Sequence, residues 1–234
     1  MGSKLFLNHC LCAGSPLYGN RGKVEIDHIT SIEKGDTANG SVLQFSVHSG
    51  THIDAPYHFD PKGKTLDQYS ADFWVCDKPH LIEKTIIPDE VITLESWEKD
   101  FEAIPIDADF LIIKSGFEQY RKETPRETSK YIFHNPAISP EVGIWLRQNR
   151  NLKMIGFDWI SLTGYQHRLM GRETHRAFLS IYPDGFERPI GQEPILPIED
   201  MKLSTLIKTP SRVIVAPLLY ENADGSPVTV LAEE

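Results

Sequence analysis

Three of the nine histidines in this chain fall within eleven residues, His48-Ser49-Gly50-Thr51-His52-Ile53-Asp54-Ala55-Pro56-Tyr57-His58, with one aspartate among them. Imidazole nitrogens and a carboxylate are donors that zinc, manganese and iron(II) accept. His48 and His52 have the spacing of two ligands on one helical face, but Gly50 between them and Pro56 beyond oppose a helix. An extended chain fits better. Leu43, Phe45 and Val47 alternate with Gln44, Ser46 and His48, so a strand ending near His48 turns that histidine away from its apolar side. A turn at Gly50 folds the chain back, and His52 and Asp54, two residues apart, then project the same way. Three protein ligands, His48, His52 and Asp54, leave coordination positions open, which points to catalysis rather than to a structural ion. Such an ion lowers the pKa of bound water toward about 7 and polarises a carbonyl. His58 is read as the group that takes a proton from that water and returns it to a leaving amine or alkoxide. The competing readings are half-buried histidines that satisfy backbone groups, and a structural zinc, which normally uses thiolates or four closed protein ligands.

Short apolar runs separated by sixteen prolines and sixteen glycines predict a strand-rich mixed fold with connecting helices to position these residues. Strands are expected over residues 42–47, 81–85, 110–114, 153–157 and 212–216, all rich in β-branched or aromatic side chains. Helices are expected over 140–148, with Ser139 as the cap and Pro140 in the first turn, and over 171–178. Asn222-Ala223-Asp224-Gly225-Ser226 reads as a hairpin turn, with Asp-Gly supplying the positive φ that tight turns need. Lys4-Leu5-Phe6-Leu7 reads as a strand entering the fold rather than as a signal peptide, because Asn8 and His9 interrupt it.

The composition narrows the function classes. At 234 residues and 40% hydrophobic, the chain is expected to form one domain over 1–234 with a sizeable core. A net charge of −9 without a Lys/Arg cluster argues against nucleic acid, which requires a basic surface. The longest apolar runs fall well short of the roughly 20 residues needed to cross a bilayer. Three cysteines make no disulfide framework, so reduced thiols and a cytoplasmic location are expected. Cys10-Leu11-Cys12 beside His9 lacks the two-residue spacing of zinc knuckles.

The pattern His48-x-Gly50-Thr51-His52-x-Asp54-x-Pro56-x-His58 resembles the signature of the cyclase family of metal-dependent hydrolases, which includes bacterial kynurenine formamidases and isatin hydrolases. Ile32–Asp36, Gly156–Ser161, His175–Leu179 and Ala223–Val228 carry the resemblance over most of the chain. It implies a swivelling β/β/α-type fold, a mixed α/β arrangement in which the sheet curls toward a barrel with flanking helices. It also implies a homo-oligomer, dimer or tetramer, and one or two zinc or manganese ions per chain. His48, His52 and Asp54 correspond to ligands of the first ion and His58 to the catalytic histidine. His175 and Glu199 correspond to the histidine and glutamate that complete a two-metal site, with His167 as the competing histidine. The stretch 182–194 is longer than the family's usual connection between these last two. Ser15-Pro16-Leu17-Tyr18-Gly19-Asn20 stands where the formamidases carry Trp-Pro-Gly-Asp, which argues against N-formylkynurenine itself.

Together these features predict a metal-dependent hydrolase of a small amide, formamide, lactam or lactone. The aromatic residues Tyr57, Phe59, Phe73, Trp74, Trp159 and Tyr165 are candidates for a pocket lining or for core, and Asp158 and Ser161 for supporting hydrogen bonds. Two other readings stay open: a cyclase, lyase or dehydratase in which His58 removes a carbon-bound proton, and a binding module without turnover.

Overall fold

A computed structural model describes residues 2–180 and 193–234; most of the long connection at 182–194 lies outside the described residues. The strands, in chain order, are β1 (Lys4–Phe6), β2 (Glu25–Thr30), β3 (Gly40–Gln44), β4 (His52–Asp54), β5 (Val75–Cys76), β6 (Pro79–Glu83), β7 (Val91–Ile92), β8 (Phe110–Lys114), β9 (Ala137–Ile138), β10 (Met154–Phe157), β11 (Leu196–Glu199), β12 (Arg212–Pro217) and β13 (Gly225–Glu233). Four α-helices accompany them: α1 (Glu98–Glu102), α2 (Lys130–Phe133), α3 (Pro140–Asn149) and α4 (Arg168–Leu179).

Among the described residues, a nine-stranded mixed sheet runs in the order β5-β12-β13-β4-β11-β10-β8-β6, with β1 added to β13. The strands β6, β8, β10 and β11 are parallel, and the rest pair antiparallel. Their sequences explain the split. Phe110, Leu111, Ile112 and Ile113 in β8 are all fully buried, as a parallel strand covered on both faces requires. In β13 burial alternates, with Val228, Val230 and Ala232 inside, as expected of a strand with one wet face. Only Asp77 and Lys78 separate β5 from β6, the two ends of the sheet order, so those ends must come together and the sheet curls toward a barrel. Asp109 fixes that corner by accepting bonds from both backbone N–H groups, at 2.9 and 3.0 Å.

Helices α3 and α4 pack as a pair against this sheet. Gly143 permits their close approach, because a Cβ there would lie 2.6 Å from the Phe178 ring. The expected helices are both present, α4 beginning three residues earlier than its apolar pattern suggested. Ser139 occupies the cap position of α3, but its hydroxyl makes no capping bond; the fixed φ of Pro140 starts that helix instead.

Two local expectations need correction. The strand expected over 42–47 ends at Gln44, so His48 lies in a turn rather than on a strand. Near the end of the chain the positive φ belongs to Asn222 (58°), not to Asp224-Gly225. Gly225 has another reason to be glycine: a Cβ there would lie 2.4 Å from the His48 ring. Among the described residues the hairpin β2–β3 pairs with no other strand, and it exposes Ile29, Val42 and Leu43. No helix among the described residues is long and apolar enough to cross a membrane.

Candidate metal centre

Strand β4 sits in the middle of the sheet, and its register assembles the site. His52 pairs opposite Glu199 at the end of β11, and Asp54 pairs opposite Gly225 at the start of β13. The two-residue period of the strand puts His52 and Asp54 on one face and sends Ile53 into the core. Gly50, at φ 65°, makes the turn that brings His48 back over them. From the other side, α4 delivers His175. A Cβ on Gly171 would lie 2.5 Å from the Thr163 hydroxyl, so glycine lets the helix sit close enough for His175 to reach the sheet.

His52, Asp54, His175 and Glu199 thus converge, all at least 93% buried. His52 Nε2 lies 3.6 Å from Asp54 Oδ1 and 3.4 Å from Glu199 Oε2. His175 Nε2 lies 3.7 Å from Asp54 Oδ2 and 3.6 Å from Glu199 Oε1. Each carboxylate therefore turns one oxygen toward each imidazole. Glu199 is steadied by the Leu162 N–H at 2.6 Å and the Ser161 hydroxyl at 3.3 Å. His48 approaches Asp54 from the solvent side, with Nδ1 at 2.8 Å from Oδ1. His58 stacks on His48 with ring centroids 4.0 Å apart.

This donor set fits a divalent cation on three counts. His52 Nδ1 and His175 Nδ1 donate to the carbonyls of Gly50 and Gly171, at 2.8 and 2.7 Å, so in the neutral imidazole Nε2 is the lone pair on the carboxylate side; without an ion, burial works against a charged His175, but Glu199 and Asp54 raise its pKa. The four separations of 3.4–3.7 Å exceed most hydrogen bonds, whereas donors about 2.1 Å from a shared tetrahedral ion lie about 3.4 Å apart. Among the described residues neither carboxylate pairs with a lysine or arginine, and two buried carboxylates whose only cationic neighbours are imidazoles would cost several kcal/mol without an ion. Candidate ligand groups form around His52, Asp54 and Glu199 and around His48, Asp54 and His58, sharing Asp54.

The electrostatics follow from these contacts. Burial opposes ionisation of Asp54, but the bond from His48 and the nearby imidazoles outweigh it and hold its carboxyl well below the usual range. Burial also works against a charged His48, yet its bonds to Asp54 and Asp224 raise it to about 9. Burial lowers His58, which keeps that imidazole neutral at pH 7.

The six residues singled out in the sequence, His48, His52, Asp54, His58, His175 and Glu199, line one cavity of about 270 Å³, together with Tyr18, Phe59, Ser161, Thr163 and Arg168. His167 is not among its lining residues. Of the aromatic candidates only Phe59 faces the cavity, stacked on His175 at 4.4 Å. Trp159 is fully buried against Phe157, Phe73 and Trp74 pack with Tyr69, and Tyr165 lies behind the cavity-lining Tyr18 and Arg168. Asp158 supports the end of β8 by accepting from the backbone of Ser115 and Gly116. A larger cavity of about 540 Å³, bordered by Lys64, Tyr69, Phe73, Arg150 and Lys153, has no comparable convergence of donors among the described residues. Neither candidate ligand group includes Cys10, Cys12 or His9.

Sequence reasoning missed Tyr18, Arg168 and Asp224. Asp224 Oδ2 lies 3.0 Å from His48 Nε2 and 3.3 Å from His58 Nδ1. Its signal was visible in Ala223–Val228, which the turn reading absorbed.

The number of ions is testable at Glu199. If its two oxygens serve two ions, Glu199→Gln lowers bound metal by one equivalent per chain, measured by elemental analysis of the folded protein. An unchanged single equivalent establishes a mononuclear centre.

Comparison with known proteins agrees with this architecture. The family profile described as "Putative cyclase" matches residues 7–163. Cyclase-like protein 1 of Arabidopsis thaliana is 28% identical over 214 residues, covering 88% of this chain and 74% of that protein. Kynurenine formamidase of Bacillus cereus is 24% identical, covering 85% of this chain and 81% of that protein. Isatin hydrolase A from Labrenzia aggregata, solved with benzyl benzoate, superposes with a TM-score of 0.76 at 22% identity, over 98% of this chain and 93% of that one. That last likeness bears on the fold.

Proposed function

Since the chain belongs to the cyclase family, we propose that it is a metal-dependent hydrolase acting on a small amide, formamide, lactam or lactone. The observation that carries this reading is the buried convergence of His52, Asp54, His175 and Glu199 beside a neutral His58. A divalent ion, zinc or manganese, held by these residues with His48, supplies Lewis acidity and activates solvent.

The protein's own groups account for the rest. His58, neutral and 30% exposed on the cavity wall, accepts a proton from the attacking water and returns it to the leaving nitrogen or oxygen. Phe59 and Tyr18 offer flat walls that suit an aromatic or small cyclic substrate. Arg168 lies over the Tyr165 ring at 5.6 Å and places a cation on the cavity wall, complementary to the carboxylate that opening a lactam or lactone releases.

The test is turnover by zinc- and manganese-loaded protein on a panel of formanilides, isatin-type lactams and aryl lactones, with products identified by mass. Addition of water to one class supports the reading. Loss of water or isomerisation instead would replace it with the lyase reading, and no turnover of any class would leave a binding module.

We also expect the chain to associate with copies of itself. A two-stranded ribbon with exposed apolar side chains is marginal alone, and β2–β3 is such a ribbon. Light scattering should give a dimer or tetramer, and Ile29→Lys with Val42→Lys should shift it toward the monomer without changing the circular dichroism. A wild-type monomer would refute this.

A further inference from the structure

Asp224 stands outside both candidate ligand groups yet touches two of the site's histidines. One oxygen, Oδ2, lies 3.0 Å from His48 Nε2 and 3.3 Å from His58 Nδ1, while the two rings stack at 4.0 Å and 29°. The other oxygen accepts the Tyr220 hydroxyl at 3.0 Å, and that hydroxyl also lies 2.9 Å from the Gly225 carbonyl.

The backbone around Asp224 is pinned in place. The Ala55 N–H donates to the Asp224 carbonyl at 2.9 Å, and the Leu66 N–H donates to the Ala223 carbonyl at 3.0 Å. Asn222, in the left-handed region, turns the chain into this segment. Gly225, next along, lies so close to the His48 ring that any side chain would collide with it. A turn built only to reverse the chain would need none of these contacts.

We propose that Asp224 is the positioning residue of this centre, and that it sets the tautomer and orientation of His48 and His58 together. His48 donates from Nδ1 to Asp54 at 2.8 Å and from Nε2 to Asp224 at 3.0 Å; were an ion to replace the Nδ1 proton, the Nε2–H held by Asp224 would be the one retained and Nδ1 would be the ligand atom. This is a carboxylate–histidine pair of the kind that orients metal ligands. If His58 donates from Nδ1, its Nε2 is left unprotonated to serve as the base. A single carboxylate oxygen accepts both bonds, and Tyr220 prevents its rotation. The amide of asparagine has one acceptor oxygen of weaker basicity, and its NH₂ group would face a donor if reversed. The role assigned to His58 rests on the hydrolytic reading above; the role at His48 does not.

The experiment compares wild type with Asp224→Asn, Asp224→Ala and Tyr220→Phe in the full chain. Zinc affinity is measured by competition with a chromophoric chelator, kcat and KM on the best substrate of the panel, and histidine tautomers by long-range proton–nitrogen NMR of metal-free protein. Outer partners of this type typically contribute about 10–100-fold to metal affinity or activity. Asp224→Asn should therefore weaken zinc binding or lower kcat within that range, with KM changed less than about threefold and the His58 tautomer no longer uniform. Tyr220→Phe should act in the same direction by a smaller factor. The proposal is overturned if Asp224→Asn, which keeps the shape of the side chain, retains wild-type zinc affinity, kcat and tautomers. If wild type hydrolyses nothing in the panel, the hydrolytic reading fails, while zinc affinity and the tautomers still decide for or against Asp224.

Discussion

Replacing Asp54 by alanine is expected to remove both metal and turnover, the largest effect of any single change in this protein. Asp54 is 1% exposed, belongs to both candidate ligand groups and contacts His48, His52 and His175. Its position is fixed, because the short strand β4 is held on both edges by β11 and β13. Metal-ion catalysis contributes several kcal/mol and each 1.36 kcal/mol is tenfold, so the rate should fall by about three orders of magnitude or more. Strong chelation of the wild type should give the same loss, reversed by zinc or manganese. A second readout needs no substrate. Zinc that binds only the folded state raises the melting temperature, by about 2.7 kcal/mol of stability at a hundredfold excess over Kd. Wild type should show that rise and Asp54→Ala should not. Full activity in protein shown to be free of metal would disprove the centre, and an Asp54→Ala variant that still gains stability from zinc would mean the ion binds elsewhere.

The parts of this centre that were legible in the sequence are those that local spacing fixes. His52 and Asp54 are two residues apart on an extended segment, so their common direction follows from the pleat alone. The turn at Gly50 was readable for the same local reason, and its φ of 65° is what makes it. The buried strand β8 and the helix beginning at Pro140 were equally plain, being a continuous apolar run and a proline start. Glu199 and His175 could be named only through the family resemblance. What brings Glu199 beside His52 is the pairing of β11 with β4 across the sheet, and no spacing along the chain encodes that. Asp224 was harder still. Asp-Gly is a common turn dipeptide, and the local rule that explains it so well hid a side chain facing two histidines 176 and 166 residues away, at positions 48 and 58. His48 shows the reverse case: alternation extended its strand too far, because residues 45–48 leave the sheet to make the turn that brings the imidazole back over Asp54.

His58 to alanine is expected to leave the metal in place and slow the chemistry, which separates proton transfer from ion binding. The residue closes a single turn, Pro56–His58, begun by the fixed φ of proline and tied by the His58 N–H to the Ala55 carbonyl at 3.0 Å. That turn carries the imidazole past Asp54 to the cavity wall, where it stacks on His48 and meets Phe59 edge-on at 4.7 Å. General acid–base groups typically contribute about 10²–10⁴-fold, and kcat should fall by that factor, which is about 3–5 kcal/mol of transition-state stabilisation. KM should move much less, since the lost interaction forms with the moving proton rather than with bound substrate. The sign of the pH effect follows from burial, which lowers the pKa of His58 below its ordinary value of about 6.5. The base is therefore available above that depressed value and is lost as the pH falls through it, giving wild type an acidic limb below pH 6.5. In His58→Ala that limb should disappear or shift to whatever group next limits the rate. Elemental analysis makes the two roles exclusive: a variant that keeps its metal and loses rate assigns His58 to proton transfer, whereas one that loses metal makes it a ligand alongside His48 and Asp54.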